Sequence, residues 1–178
     1  MTVRAQLGTL VEALQMQNAE SAAYFDIETG EVHCFENDVL DKAEAEAEAT
    51  TDRELPEWQL SEIASARRIL AGEGARYLAL PSSRDVHEWH IMEAFCLSID
   101  TSSVRDDLLA AIHARGAFRN FQGRLVRHRL RDSWFDFRDA ALRKIAIAWC
   151  AENQVAYDDG SRRARAKRKS RAGTAPDR

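Results

Sequence analysis

The sequence predicts an α+β fold: a small antiparallel sheet, made of a β-hairpin and one further strand, with a predominantly helical remainder of about five to six helices. Two short runs carry the sheet, residues 22–27 (AAYFDI) and 31–36 (EVHCFE), both rich in aromatic and β-favouring residues and joined through ETG. Apolar residues at spacings of three and four recur through most of the other segments, the mark of amphipathic helices. The order of elements contains no repeated βαβ unit, which excludes a doubly wound sheet and its dinucleotide crevice.

The elements follow in order. Leu7, Leu10, Val11 and Leu14 stand at i, i+3, i+4 and i+7, which predicts a first helix. In the hairpin, Gly30 supplies the left-handed residue of a type I turn with a G1 bulge. Strand alternation puts Phe25 and Ile27 on one face, Tyr24 and Asp26 on the other. Residues 36–57 are acidic, and their AEAEAEA repeat has no apolar stripe to bury; a linker or solvated helix is expected there. Pro56 suits a helix start, and Trp58, Ile63, Ala66 and Leu70 give the next helix an inward face before Gly72 and Gly74 stop it.

RYLALP, ending at Pro81, reads as the third strand. Ser82 or Ser83 is placed to cap one continuous helix over SRDVHEWHIMEAFCLSI, with Asp85 in its first turn. Val86, Trp89, Met92 or Glu93, Cys96 and Ile99 fall along one side of it. A further helix, capped by Ser102 or Ser103, runs to a stop at Gly116. Two more follow, and in the last Trp134, Phe137, Ala141, Ile145 and Trp149 make a wide apolar face. Residues 1–157 are therefore read as a single domain, and residues 158–178, which lose all periodicity, as a disordered basic tail.

Charge is divided unevenly. Residues 162–171 hold seven basic side chains: Arg162, Arg163, Arg165, Lys167, Arg168, Lys169 and Arg171. With Arg178 and Asp177, residues 161–178 carry +7; the whole chain sums to −4, so the other 160 residues carry −11. Such a segment fits nucleic acid as a partner, because it can neutralise phosphates and release their counterions. It has no aromatic to stack on bases and no apolar residue to enter a bilayer, so contact of this kind is non-specific. Self-association or a protein partner is the second reading of the tail, and a solubilising tail, or one that folds back weakly on the acidic body, the third.

YFDIETGEV, EWHIMEAF, GAFRNF and WFDFRDAALRKIAIAWCAEN occur here in that order. On these strings the chain resembles the bacterial Uncharacterised Protein Family 0158 over roughly Leu7 to Asn153. The resemblance implies no activity, cofactor or substrate. It does imply a denser basic run after GAF, Arg-Arg-Phe-Lys; here Arg119 and Phe121 keep the pattern while Asn120 and Gln122 depart from it.

Catalytic constellations are missing, which points away from an enzyme. There is no GxSxG elbow, and AGEGARY lacks the ending of a phosphate loop. Ser82, Ser83, Ser102 and Ser103 sit where caps are wanted. Cys34, Cys96 and Cys150 are odd in number and far apart, which suits neither a disulfide framework nor a zinc knuckle. His87, His90 and Glu93 step by three but offer a metal too few converging ligands, so no metal and no cofactor is expected. No apolar run reaches the ~20 residues of a membrane span, and a cytoplasmic protein is expected.

The most pointed motif is RGAFRNF. If Gly116 ends one helix and the next starts at Ala117 or Phe118, free N–H groups with Arg115 and Arg119 beside them suit an anion. The plainer reading locks Phe118 and Phe121 into the core and pairs Arg119 with Asp136 or Asp139. The function expected is a non-enzymatic, macromolecule-binding or regulatory domain whose tail touches nucleic acid. A protein-interaction module without nucleic acid is the alternative, and a small-ligand-binding protein or enzyme using Arg119 and Asp26 the next.

Overall fold

The structure, a computed structural model, describes residues 3–45 and 56–160. Its first elements are β1 (Ala5–Gln6), α1 (Leu7–Met16), β2 (Ser21–Asp26), β3 (Val32–Glu36) and α2 (Asn37–Glu44). Then come α3 (Glu57–Ala71), β4 (Tyr77–Ala79), the single turn α4 (Ser83–Val86) and α5 (Glu88–Leu97). The chain continues through α6 (Ser102–His113), α7 (Ala117–Arg127), α8 (Arg131–Glu152) and β5 (Tyr157–Asp158). The fold is α+β, with a three-stranded antiparallel sheet of order β3-β2-β4.

Alternation along β2 places helices against both faces of this sheet. Ala23 and Phe25 join the larger core with α1, α5, α6, α7 and α8. Tyr24, one residue out of phase, joins Phe35 and Tyr77 in a second core with α2 and α3. Gly30 has φ 79°, as the hairpin turn requires. Trp149 ties α8 to the sheet: its ring meets Phe25 edge-on at 5.8 Å, and its Nε1–H donates to the Ala79 carbonyl at 2.9 Å.

An aromatic knot joins α5, α7 and α8. Phe121 packs edge-on to Trp134 at 4.9 Å, and Phe95 meets Phe121, Trp134 and Phe137 at 6.1, 5.4 and 5.4 Å. These perpendicular geometries bring positive ring edges to negative ring faces.

The structure departs from the sequence-based expectation in several places. Residues 37–44 of the acidic stretch form a helix that buries Leu40 and Ala43 against α3, so this part is packed. The AEAEAEA repeat lies largely outside the described residues. The helix expected over SRDVHEWHIMEAFCLSI is broken at His87, which takes a left-handed φ of 49° between α4 and α5. Thr101, rather than Ser102 or Ser103, stands at the N-cap of α6. Trp58, expected on the inward face of α3, is 64% exposed, and Ile69 takes its place among the buried residues. A short parallel pair, β1 with β5, was not legible, and it takes in Asp158. Among the described residues no helix is long and apolar enough to cross a membrane.

Candidate functional site

The junction between α6 and α7 is built by one glycine. Gly116 adopts φ 78°, ψ 35°, a conformation that side-chain-bearing residues enter only with strain, and it is the N-cap of α7. Having no side chain, it leaves the first N–H groups of α7 without a cap from its own position. Asn120 closes the turn, its side-chain amide donating to the Arg115 carbonyl at 3.0 Å.

From this start α7 divides into two faces. Phe121 and Leu125, four apart, are fully buried and fasten the helix to the core. Arg119, Asn120, Gly123, Val126 and Arg127 are exposed on the other side. A Cβ at Gly123 would meet nothing within 4 Å, so no packing among the described residues calls for glycine there. The backbone of α7 is open to close approach at that point.

The charge in and around α7 is one-sided. Between Leu108 and Arg131 the chain has six arginines and no Asp or Glu. Among the described residues Asp107 of α6 is the acid that answers them. It accepts from His128 Nε2 at 2.8 Å and lies 3.2 Å from Arg124 Nε and 3.9 Å from Arg127 Nη1. The His128 hydrogen bond, helped by the two guanidiniums, holds the Asp107 carboxyl below the usual carboxylate range. Arg115, Arg119 and Arg129 are exposed and make no ion pair among the described residues, and Arg131 lies 5.9 Å from the Phe135 ring centre.

Arg115, Gly116 and Arg119 therefore come together at the start of α7. Arg119 pairs with neither Asp136 nor Asp139; Asp139 instead accepts from Gln15 at 3.3 Å. Phe118, expected in the core beside Phe121, is 57% exposed. Arg124, Arg127, Arg129 and Arg131 went unnoticed in the sequence, although the long acid-free interval was there to be read. The tail residues Arg162 to Arg171 lie outside the described residues.

Asp26 does not meet Arg119. It is buried at 2% exposure, and Arg76 forks onto it through Nε at 3.1 Å and Nη2 at 2.7 Å. The N–H groups of Glu28 and Thr29 also donate to it. Both carboxylate oxygens are thus engaged in holding the hairpin turn. A cavity of about 670 Å³ near this turn, lined by Phe25, Ile27, Leu78 and Val155, has Glu28 as its acid, and Glu28 is itself paired with Arg76 at 2.6 Å.

His87, His90 and Glu93 do not form a metal site: among the described residues no group of three or more His, Cys, Asp or Glu is placed to hold an ion. His87 leaves the helical step, and its ring stacks edge-on with His90 at 5.3 Å. Cys96 and Cys150 are buried, and burial pushes the Cys96 thiol up to about 11. Cys34 is exposed on β3.

Compared with known proteins, residues 1–161 match the model of a family described as Uncharacterised protein family (UPF0158). No curated protein and no solved structure matches the chain.

Proposed function

The chain belongs to the Uncharacterised protein family (UPF0158), and from that premise we propose a non-enzymatic, macromolecule-binding role: contact with nucleic acid through the arginine face of α7, helped by the basic segment 162–171. The observation that carries this reading is the acid-free interval with six arginines, set on a body of net charge −11. A basic face on an acidic body is retained against the overall charge, and phosphate is the ligand that rewards it. Arg115 and Arg119, beside the uncapped N–H groups after Gly116, suit one phosphate. Arg127, Arg129 and Arg131 follow along the chain toward α8. Gly123 lets a sugar–phosphate backbone come close to the helix. Arginines without a constellation for base edges favour position over sequence, so the binding is sequence-independent.

The test is binding of a labelled duplex of arbitrary sequence, followed by fluorescence anisotropy across a salt series. Arg115, Arg119 and Arg129 changed together to Gln should lower the log–log salt slope by about 3, one for each lost phosphate contact. Neutralising the seven tail charges should remove a slope of up to about 6. An unchanged slope and affinity in this triple variant would sink the role given to α7 and its flanks.

A protein-interaction module without nucleic acid is the second reading. The exposed Val126 and Phe118 on the same helix favour it. Affinity for a partner that survives high salt and nuclease treatment would decide for it.

A further inference from the structure

We propose that a row of exposed rings ending at the α6–α7 junction is a base-stacking platform, and that the nucleic acid it takes is single-stranded. This rests on the arginine reading above and narrows its ligand. The row runs from the start of α5 to the end of α6 through His87, His90, Trp89 and His113. Successive ring centres stand 5.3, 5.5 and 5.5 Å apart, each ring steeply inclined to the next. All four residues are exposed, and none is among the buried residues of either core.

Packing holds the row in place and leaves its chemistry unused. Trp89 Nε1–H donates to the Ile112 carbonyl at 3.3 Å, which pins the indole to the last turn of α6 while leaving it 38% exposed. A ring already fixed loses little freedom when a base stacks on it. Among the described residues, no hydrogen bond engages the ring nitrogens of His87, His90 or His113. The acids flanking His87 are occupied. Asp85 accepts from the Ser82 N–H at 2.9 Å, and Glu88 accepts from Arg138 Nε at 2.6 Å.

Charge at the end of the row selects the ligand. Arg115 follows His113 by two residues, and Arg119 lies in the first turn of α7. Both are exposed and without an ion pair among the described residues. Rings that lead to free guanidiniums suit a strand whose bases can stack while its phosphates are neutralised. In a duplex the bases are stacked on one another, so the same rings add nothing to its binding. Every base has a π-face, which keeps this contact independent of sequence. Single-stranded DNA and RNA share this chemistry.

The test uses the full chain with labelled oligothymidylate, oligouridylate and a duplex, each of about 20 nucleotides, read by fluorescence anisotropy. Trp89→Leu should weaken single-strand binding about fivefold or more. Trp89→Phe also loses the indole donor but keeps a ring, and should stay within about twofold of wild type. His90→Ala with His113→Ala, both at exposed positions, should lose about fivefold with an unchanged salt slope, because no phosphate contact is removed. Duplex affinity should stay at the wild-type value in all three, and the tighter of the two single strands identifies DNA or RNA as the source. Equal losses on single strand and duplex overturn the proposal, as does single-strand binding that no ring variant weakens. In both cases the arginine reading survives if Arg115→Gln with Arg119→Gln still lowers the salt slope. Wild-type chain that binds neither form sinks that reading and the platform together.

Discussion

Asp26 and Arg76 are 50 residues apart and meet in a forked ion pair at the base of the hairpin turn. The Arg76 hydrogen bonds, opposed by burial and helped by the Glu28 and Thr29 N–H groups, hold the Asp26 carboxyl at about 2, against 3.8 for a free one. Because the folded value lies below the unfolded one, the pair's contribution is complete above roughly pH 5 and is lost as pH falls toward 2; it amounts to about 2 kcal/mol. Asp26→Asn should therefore lower stability in urea titrations by about 2 kcal/mol at pH 7 and by much less at pH 2. The two phenylalanines of RGAFRNF separate at the same scale. Phe121 is 0% exposed within the aromatic knot, so Phe121→Ala should cost about 3–5 kcal/mol. Phe118→Ala should change stability by less than about 0.5 kcal/mol, since that ring faces solvent.

Helix α4 shows how one element is ended and the next begun. Ser82 caps it reciprocally with Asp85: the Asp85 N–H donates to Ser82 Oγ at 3.4 Å, and the Ser82 N–H donates to Asp85 Oδ2 at 2.9 Å. Ser82→Ala should cost about 1 kcal/mol in thermal or urea unfolding. His87 then breaks the helical path with φ 49°, which lets Glu88 start α5 and reach Arg138 of α8 at 2.6 Å. The left-handed conformation strains a residue with a Cβ, so His87→Gly should gain about 0.5 kcal/mol, whereas the β-branched His87→Val should lose more than about 1 kcal/mol. Both helices would read as a single amphipathic run, because Val86, Met92 and Cys96 are all buried in the same core.

Over the whole molecule, charge is sorted into an acidic cavity between α2 and α3, an arginine-rich stretch in and around α7 and a basic segment after Gly160. Screening acts on all three, so nucleic-acid affinity should fall steeply with salt. Losses in log affinity from the α7 and tail substitutions should add if the two surfaces contact separate stretches of phosphate, which the anisotropy series reads directly.

The amphipathic stripes, the hairpin with its Gly30 turn, the Gly116 junction and the basic segment are local, and the sequence by itself determined them. Spacing and backbone sterics act within a few residues, and no partner is needed to read them. Tertiary structure alone decided that Phe121 turns inward while Phe118 does not, that Trp58 stays outside, and that Asp26 is answered by Arg76 rather than Arg119. Each of these depends on what the rest of the chain brings to that place. A period of 3.6 residues shows that a helix has an apolar face, but the width of the neighbour that covers it sets which residues at its margin are buried. Asp107 belongs with these decisions, since the packing of α6 on α7 sets it against Arg124 and Arg127 and, among the described residues, leaves Arg115, Arg119 and Arg129 without an ion pair.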